Sequence, residues 1–256
     1  MVFKNMANPF GYDEEREFIS LKEQCEERQA EQANLDESQS DKLVELEKRI
    51  AVLEEKLAVS ETKETLNKIE NMSEGESLDV VLSADVDTEK SVIVKPNTQV
   101  TLDLNEKAIK VVKPNIDGIL VEDGATLTIN GNGLVESANG GDGYPIIANG
   151  KLIINSGHFK SGYDASNLAN ACVYARGNGD IEIYGGRFEG VDGSFVLNKK
   201  DADRATTSIK VMGGEFVDFN PSNNASEGPN TNFVPTGYKV ESFTEGDKTI
   251  YKVITE

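Results

Sequence analysis

One pattern of apolar residues recurs in the second half of the chain, every 25 to 29 residues. The central residue of each repeat is, in turn, Leu104, Ile129, Ile154, Ile183 and Val211. Apolar residues keep the same phase two positions earlier (Leu102, Leu127, Leu152, Ile181 and Ile209) and five positions later (Ile109, Leu134, Phe159, Phe188 and Phe216). Short strands with such a period cannot bury a face alone, so they have to stack on one another. The pattern predicts a solenoid.

The turns between these strands support stacking in register. Asn105, Asn130 and Asn155 each follow a central residue, and in stacked coils their amides would superimpose as an asparagine ladder. In the later repeats Gly185-Gly186 and Gly213-Gly214 supply the backbone freedom of a tight turn. A further apolar strand precedes each pair, at 92–94, 119–121, 146–148, 172–175 and 195–197. Three strands per repeat predict a mainly β fold, a parallel β-helix of about five coils with a triangular section.

An antiparallel β-sandwich is the alternative fold, because its strands also recur, about every 8 to 12 residues. A sandwich does not require a constant phase over 25 to 29 residues, so the β-helix is favoured. Near the end of the chain, residues 238–243 and 249–255 flank Glu245-Gly246-Asp247. This arrangement predicts a hairpin that closes the last coil.

The segment from Asp41 to Glu61 has the spacing of a coiled coil. Its apolar residues alternate at intervals of three and four, which is the a/d seam of a heptad repeat: Leu43, Leu46, Ile50, Leu53 and Leu57. In this register the g positions are Lys42, Arg49 and Lys56, and the e positions five residues later are Glu47, Glu54 and Glu61. Every g–e pair between parallel neighbouring chains is therefore attractive, which favours parallel association. A single amphipathic helix lying on the β domain is the alternative.

The composition changes near residues 72–77, where Gly75 ends the helical pattern. From about Leu78 onward, Gly, Asn, Val and Ile replace the helix-forming residues. We therefore divide the chain into four parts. These are an N-terminal anchor and helical segment (1–40), a coiled-coil stalk and linker (41–77), a parallel β-helix (78–219), and a C-terminal loop with a capping hairpin (220–256).

The composition argues against several classes of function. The formal net charge of −19 opposes a phosphate backbone and an anionic membrane surface, so we expect neither nucleic acid nor a membrane as partner. No stretch reaches the roughly 20 apolar residues of a membrane span, and the first residues lack the apolar core of a signal peptide. Cys25 and Cys172 fit no disulfide framework or zinc pattern, and His158 is the single histidine. We expect no metal and no cofactor.

Two tyrosines in irregular inserts are the candidate glycan-binding residues. Tyr144 lies in the insert 139–145 and Tyr163 in the insert 162–170. An aromatic ring on a rigid scaffold offers a sugar both an apolar face and a hydroxyl group. Tyr174 and Tyr184 fall on predicted strands and are interpreted as packing residues.

No catalytic residue is predicted, because the outward-facing acidic residues are spread over different coils without an obvious pair. Parallel β-helices nevertheless include polysaccharide lyases and hydrolases, whose chemistry relies on grouped carboxylates in a groove. A polysaccharide depolymerase is therefore one alternative function.

Two stretches of the sequence resemble known fibre proteins. Residues 49–54 (RIAVLE) match the Arg-h-x-x-h-Glu pattern of short parallel trimeric coiled coils, where h is an apolar residue. Residues 213–216 (GGEF) followed by 233–240 (FVPTGYKV) are similar to endings of phage head-fibre and bacterial β-helical surface proteins. From about residue 40 onward the chain resembles bacteriophage fibre proteins, which join an N-terminal anchor, a trimeric coiled coil and a β-helical tip.

The resemblance implies a non-enzymatic homotrimer with a right-handed β-helix, made in the host cytoplasm and carried on the virion surface as a head fibre or capsid decoration. It adds Arg49 and Glu54 to the seam as trimerisation residues. It implies docking of the N-terminus on a capsid or other structural protein, for which the candidates are Phe3, Pro9, Phe10 and Tyr12. The tip would attach weakly to host or mucosal glycans, and three tips would add avidity. A bacterial surface adhesin is the second alternative.

Overall fold

Residues 12–30, 37–162, 171–191 and 195–256 are described by the structure, which is a computed structural model. The chain divides into two units, with the boundary between Glu64 and Thr65. The described residues of the first unit are helical. The second is a parallel β-solenoid, so the predicted class, mainly β with a helical N-terminal part, is confirmed.

Two helices form the N-terminal part: α1, Tyr12–Ala30, and α2, Glu37–Glu70. Polar side chains join them within the first unit. Lys22 Nζ lies 3.8 Å from Glu54 Oε1, and Arg49 donates a hydrogen bond to Glu17. Within one chain, α1 therefore supplies charge partners to g and e positions that the heptad pattern assigns to neighbouring chains.

Three sheets of parallel strands build the solenoid. Sheet A contains β1 Ser77–Val81, β4 Gln99–Asp103, β7 Thr126–Asn130, β10 Lys151–Ile154, β13 Asp180–Ile183 and β16 Ser208–Val211. Sheet B contains β2 Val86–Thr88, β5 Ala108–Val111, β8 Leu134–Glu136, β11 His158–Lys160, β14 Arg187–Glu189 and β17 Glu215–Val217, followed by the antiparallel pair β19 Lys248–Thr255 and β18 Tyr238–Glu245. Sheet C contains β3 Val92–Val94, β6 Ile119–Val121, β9 Ile146–Ala148, β12 Val173–Ala175 and β15 Leu197–Lys199.

Each coil contributes one strand to each sheet, as the three-strand repeat predicts. The five stacked strands of sheet C enclose about four full turns, where the sequence predicted about five coils. The predicted third strands lie close to the observed ones. The last of them begins at Leu197, two residues later than expected.

The core of the solenoid is a set of vertical columns of apolar side chains. Ile154 is in register with Ile129 below it and Ile183 above it, and all three are fully buried. The first repeat differs from the prediction, because Leu102, and not Leu104, is in register with Ile129. Phe159 likewise lies against Val135, which displaces Leu134 from the predicted column. The cause is turn length, because the turn between β4 and β5 (104–107) has one residue more than the turn between β7 and β8 (131–133).

Two stacks of like side chains follow the columns. The rings of Phe159, Phe188 and Phe216 are fully buried, with centroids 5.1 and 4.8 Å apart at interplanar angles of 17° and 8°. Outside the core, Asn155 Nδ2 donates to Asn130 Oδ1 at 2.9 Å, which confirms one step of the asparagine ladder.

Asn105 does not join that ladder. Asp103, two residues earlier, occupies the register position below Asn130. Asn105 adopts a left-handed backbone with φ of 48°, and its amide nitrogen donates to the carbonyl oxygen of Leu82 at 2.9 Å. It therefore satisfies the backbone of the turn below it.

Both ends of the solenoid core are covered. At the start, Leu66, Ile69 and Met72 belong to the buried core cluster together with residues of the first coil. At the other end, β17 pairs with β19, and β19 pairs with β18 around a turn that contains Gly246. The predicted C-terminal hairpin is confirmed. It covers backbone groups that would otherwise form an open sheet edge.

The outer faces of sheets B and C differ in character. One column on sheet B alternates in charge, in the order Asp87, Lys110, Glu136, Lys160 and Glu189. The outward column of sheet C is apolar, in the order Ile93, Leu120, Ile147 and Tyr174. A tyrosine therefore ends an apolar stripe on the outside of the solenoid.

Candidate binding site

Four of the longer loops of the solenoid lie at one corner, where the chain passes from sheet B to sheet C. They are 112–118, 137–145, 161–172 and 190–196, and residues 163–170 and 192–194 lie outside the described ranges. Most turns at the other two corners have two to four residues. Because a regular scaffold holds this corner, its loops are the natural position for a binding site.

The Tyr144 loop rests on the loop of the coil below. Tyr144 N donates to Asp117 Oδ1 at 3.1 Å, and Gly118 N donates to the carbonyl oxygen of Tyr144 at 2.8 Å. Gly143 is required for this approach, because a Cβ atom there would lie 2.3 Å from the carbonyl oxygen of Ile116. These contacts fix the backbone that carries Tyr144.

Tyr144 stacks on Tyr174. Their ring centroids are 4.7 Å apart and their planes are inclined by 11°, and both side chains are half-buried. Tyr174 lies on β12 between inward-facing Val173 and Ala175, so its ring projects outward. The interpretation of Tyr174 as a packing residue missed this role, although strand alternation was a signal that could have revealed it.

The two other tyrosines singled out in the sequence do not join this pair. Tyr163 lies outside the described residues. Tyr184 follows β13 and is 48% exposed, and its hydroxyl donates to Glu182 Oε2 at 3.2 Å. It is therefore a surface residue and not the packing residue that the sequence suggested.

Both stacked tyrosines keep their protons at neutral pH. Burial is the main cause that raises the pKa of Tyr144 to about 12, with contributions from Tyr174, Asp142 and Asp117. Burial also raises the pKa of Tyr174, and Asp201 adds to this. Each hydroxyl group is therefore neutral and retains a proton that it can donate in a hydrogen bond.

Polar groups surround the stacked rings. Arg176 Nε donates to Asn149 Oδ1 at 2.8 Å, and Asp203 Oδ2 accepts a hydrogen bond from Gly177 N at 2.7 Å. Burial raises the pKa of Asp117, which accepts from the Tyr144 backbone. Apolar ring surface bordered by a few oriented polar groups is the composition of a saccharide-binding surface.

The titratable residues singled out in the sequence lie elsewhere. His158 is the first residue of β11, with Nε2 3.4 Å from Glu189 Oε2. Burial lowers the pKa of His158, and Glu189 opposes the shift. Both cysteines are buried and free. Cys25 lies on α1, and burial raises the pKa of Cys172 to about 12. Within the described residues, no group of three or more His, Cys, Asp or Glu is arranged to hold a metal ion.

The predicted trimerisation residues all lie on α2. Leu43 and Leu53 are buried in the single chain, whereas Leu46, Ile50 and Leu57 are half-buried. Of the predicted docking residues, Phe3, Pro9 and Phe10 lie outside the described residues, and Tyr12 is the first residue of α1. None of the helices in the described ranges has the length and apolar character needed to cross a membrane.

Comparison of the chain with protein-family models, with curated proteins and with solved structures finds no match.

Proposed function

We propose that the chain is a non-enzymatic, homotrimeric virion fibre, a head fibre or capsid decoration that presents its solenoid for weak attachment to glycans. The observation that carries the proposal is the stacked pair Tyr144 and Tyr174 at the loop-rich corner of the solenoid. The rings stay half-exposed and their hydroxyl groups stay protonated, so the pair offers both contacts that a sugar uses.

The scaffold suits attachment because its geometry is fixed. Main-chain pairing along three sheets and a continuous apolar core hold β12 and the backbone that carries Tyr144 in place. A preorganised surface loses little conformational entropy on binding, which matters where each contact is weak. Three copies joined at one end would bind a glycan-coated surface with an avidity well above that of one site.

The trimer part of the proposal rests on the seam of α2. Leu46, Ile50 and Leu57 are half-buried in the single chain, so apolar area remains for neighbouring copies to cover. Three α2 helices that pack through this seam would form a parallel trimeric coiled coil. Each chain of the trimer would then carry one solenoid, right-handed as the fibre resemblance implies.

Sedimentation equilibrium of the full chain tests the trimer. We expect the mass of three chains for the native sequence and of one chain for the double variant Leu46→Asp and Ile50→Asp, because charges in the seam are not solvated in the assembly. The matched control is Val44→Asp with Val52→Asp, since these valines are 46% and 51% exposed on the same helix. A native chain with the mass of one copy, or an unchanged mass for the seam variant, would remove the trimer.

Docking through the N-terminus is proposed from composition alone. Phe3, Pro9 and Phe10 precede α1 and offer apolar side chains to a capsid or other structural protein, and Tyr12 continues this group at the start of the helix. Deletion of residues 1–11 should abolish incorporation into particles and leave the oligomeric state unchanged. Particles that carry the truncated chain at native occupancy would refute this role.

A glycan array probed with the fluorescent full-length protein tests attachment. Tyr174→Ala should remove the signal, because it takes away one ring of the stack. Tyr184→Ala is the matched control, since Tyr184 is an exposed tyrosine on another side of the solenoid. Equal signals from both variants would exclude the stacked pair as the binding surface. Release of reducing ends from bound glycans would instead favour the depolymerase alternative.

A further inference from the structure

The charges around the stacked tyrosines are predominantly negative. Asp117 and Asp142 act on Tyr144, with Asp117 held against it by the hydrogen bond from the Tyr144 backbone. Besides burial, the negative charges of Asp201, Asp203 and Glu227 likewise raise the pKa of Tyr174. Arg176 acts on both tyrosines with the opposite sign. Among the described residues, the five carboxylates that act on the pair therefore outnumber the three cations beside them, Arg176, Arg204 and Lys200.

The cations next to these carboxylates are already engaged. Arg204 Nη2 lies 2.9 Å from Asp201 Oδ1, and Arg204 Nε lies 2.7 Å from Glu227 Oε2. Lys199 Nζ donates to the carbonyl oxygen of Thr207 at 3.0 Å. An acidic ligand would have to draw one of these groups away from its present partner, which costs the contact that is lost.

We propose that the tyrosine site takes uncharged or amino-bearing saccharides and discriminates against acidic ones such as uronates and sialylated glycans. The inference rests on the proposed function, because it names the ligand class of the same site. A neutral sugar ring packs on Tyr144 and Tyr174 and receives hydrogen bonds from their hydroxyl groups.

An amino sugar gains two further contacts. An ammonium group is attracted to the face of a tyrosine ring and to the exposed carboxylate of Asp142, whereas Asp201 is already paired with Arg204. A carboxylate on the ligand meets repulsion from the same groups and from the net charge of −19. The affinity should therefore rise when the saccharide carries a positive charge and fall when it carries a negative one, and titration can measure both changes.

The experiment compares three trisaccharides of similar size by saturation-transfer NMR and direct titration at about 10 mM ionic strength, where charges are weakly screened. The probes are N-acetylated chitotriose (neutral), chitotriose with free amines (cationic) and trigalacturonate (anionic). The first two should bind through Tyr174, and the cationic probe should lose affinity as salt is added. Trigalacturonate should bind at least about tenfold more weakly than the neutral probe, the size of effect that a few unscreened charges produce.

Charge-neutralising variants separate a local effect from the net charge of the protein. Asp142→Asn with Asp201→Asn should reduce the discrimination against trigalacturonate, because it removes two exposed carboxylates near the rings. Glu241→Gln with Asp247→Asn removes the same charge from the C-terminal hairpin and should leave the discrimination unchanged. Equal responses to the two pairs would overturn the local origin of the selectivity.

The remaining outcomes distinguish the inference from the function on which it rests. Trigalacturonate binding that equals that of the neutral probe and is lost in Tyr174→Ala would overturn the inference and leave the glycan function in place. Failure of all three probes to bind, with an empty glycan array, would overturn the glycan function and the inference with it.

Discussion

Replacement of Phe188 by alanine removes the middle ring of the phenylalanine stack. Phe188 is fully buried, with neighbouring ring centroids 5.1 Å below and 4.8 Å above it. Truncation of a buried phenylalanine costs about 3 to 5 kcal/mol. Because two stacked contacts are lost together, we expect a value near the upper end, about 5 kcal/mol. Phe188→Leu, which fills most of the space, should cost about 1 to 3 kcal/mol.

Equilibrium unfolding in urea at fixed protein concentration, followed by circular dichroism, measures this cost. Phe243→Ala is the matched control, since Phe243 is 46% exposed on β18 and its loss should change the unfolding free energy by less than about 1 kcal/mol. The slope of the transition should also be compared, because coils that unfold separately would lower it. A Phe188→Ala midpoint that coincides with that of the control would refute the stacked core.

Three further changes test other parts of the solenoid. Below about pH 6.5 the native chain should lose stability, because burial lowers the pKa of His158 and the unfolded chain therefore takes up the proton first. His158→Gln should reduce this loss. Parallel curves of unfolding free energy against pH for the variant and the native chain would contradict the prediction. Asp117→Asn should raise the unfolding free energy at neutral pH, because burial raises the pKa of this carboxyl group and disfavours its charged form. This gain should disappear as the pH falls towards 3.8, where the carboxyl group becomes protonated in the native chain. Urea titrations across this pH range measure the difference, and an equal gain at both ends would contradict the prediction. Gly133→Ala should cost about 1 to 3 kcal/mol, because its Cβ would lie 2.0 Å from the carbonyl oxygen of Lys107; an unchanged melting temperature would count against that clash.

The solenoid was predictable where the repeats are uniform. Ile129, Ile154 and Ile183 share one column because each strand returns to the same phase after a coil, and apolar periodicity records that return. The C-terminal hairpin was equally accessible, because Gly246 in the turn adopts a positive φ, which glycine tolerates.

The sequence misled where turns differ in length. The turn after Leu102 holds more residues than later ones, so a fixed count from the central residue selected Leu104, which lies beyond the strand. The spacing between apolar residues in the sequence does not show whether an extra residue belongs to the turn before a strand or to the turn after it. The same limit explains why Leu134 was chosen where Val135 belongs.

The binding site was only half accessible from the sequence. Tyr144 was identified because it lies in an insert, but its partner Tyr174 is 30 residues away and one coil further on. The strand register sets Tyr174 beside Ile147, three residues after Tyr144. The stacking therefore depends on how the loop 137–145 places the ring of Tyr144 against that of Tyr174. Loop geometry of that kind follows from tertiary contacts such as that between Tyr144 N and Asp117.

The alternating column on sheet B has a consequence for the loss or gain of whole coils. Excision of one coil would bring two like charges together, for example Lys110 beside Lys160. Excision of two consecutive coils would instead keep opposite charges next to each other, because the same charge recurs in every second coil. Shortened or lengthened variants of this solenoid should therefore tolerate changes in even numbers of coils better than in odd ones.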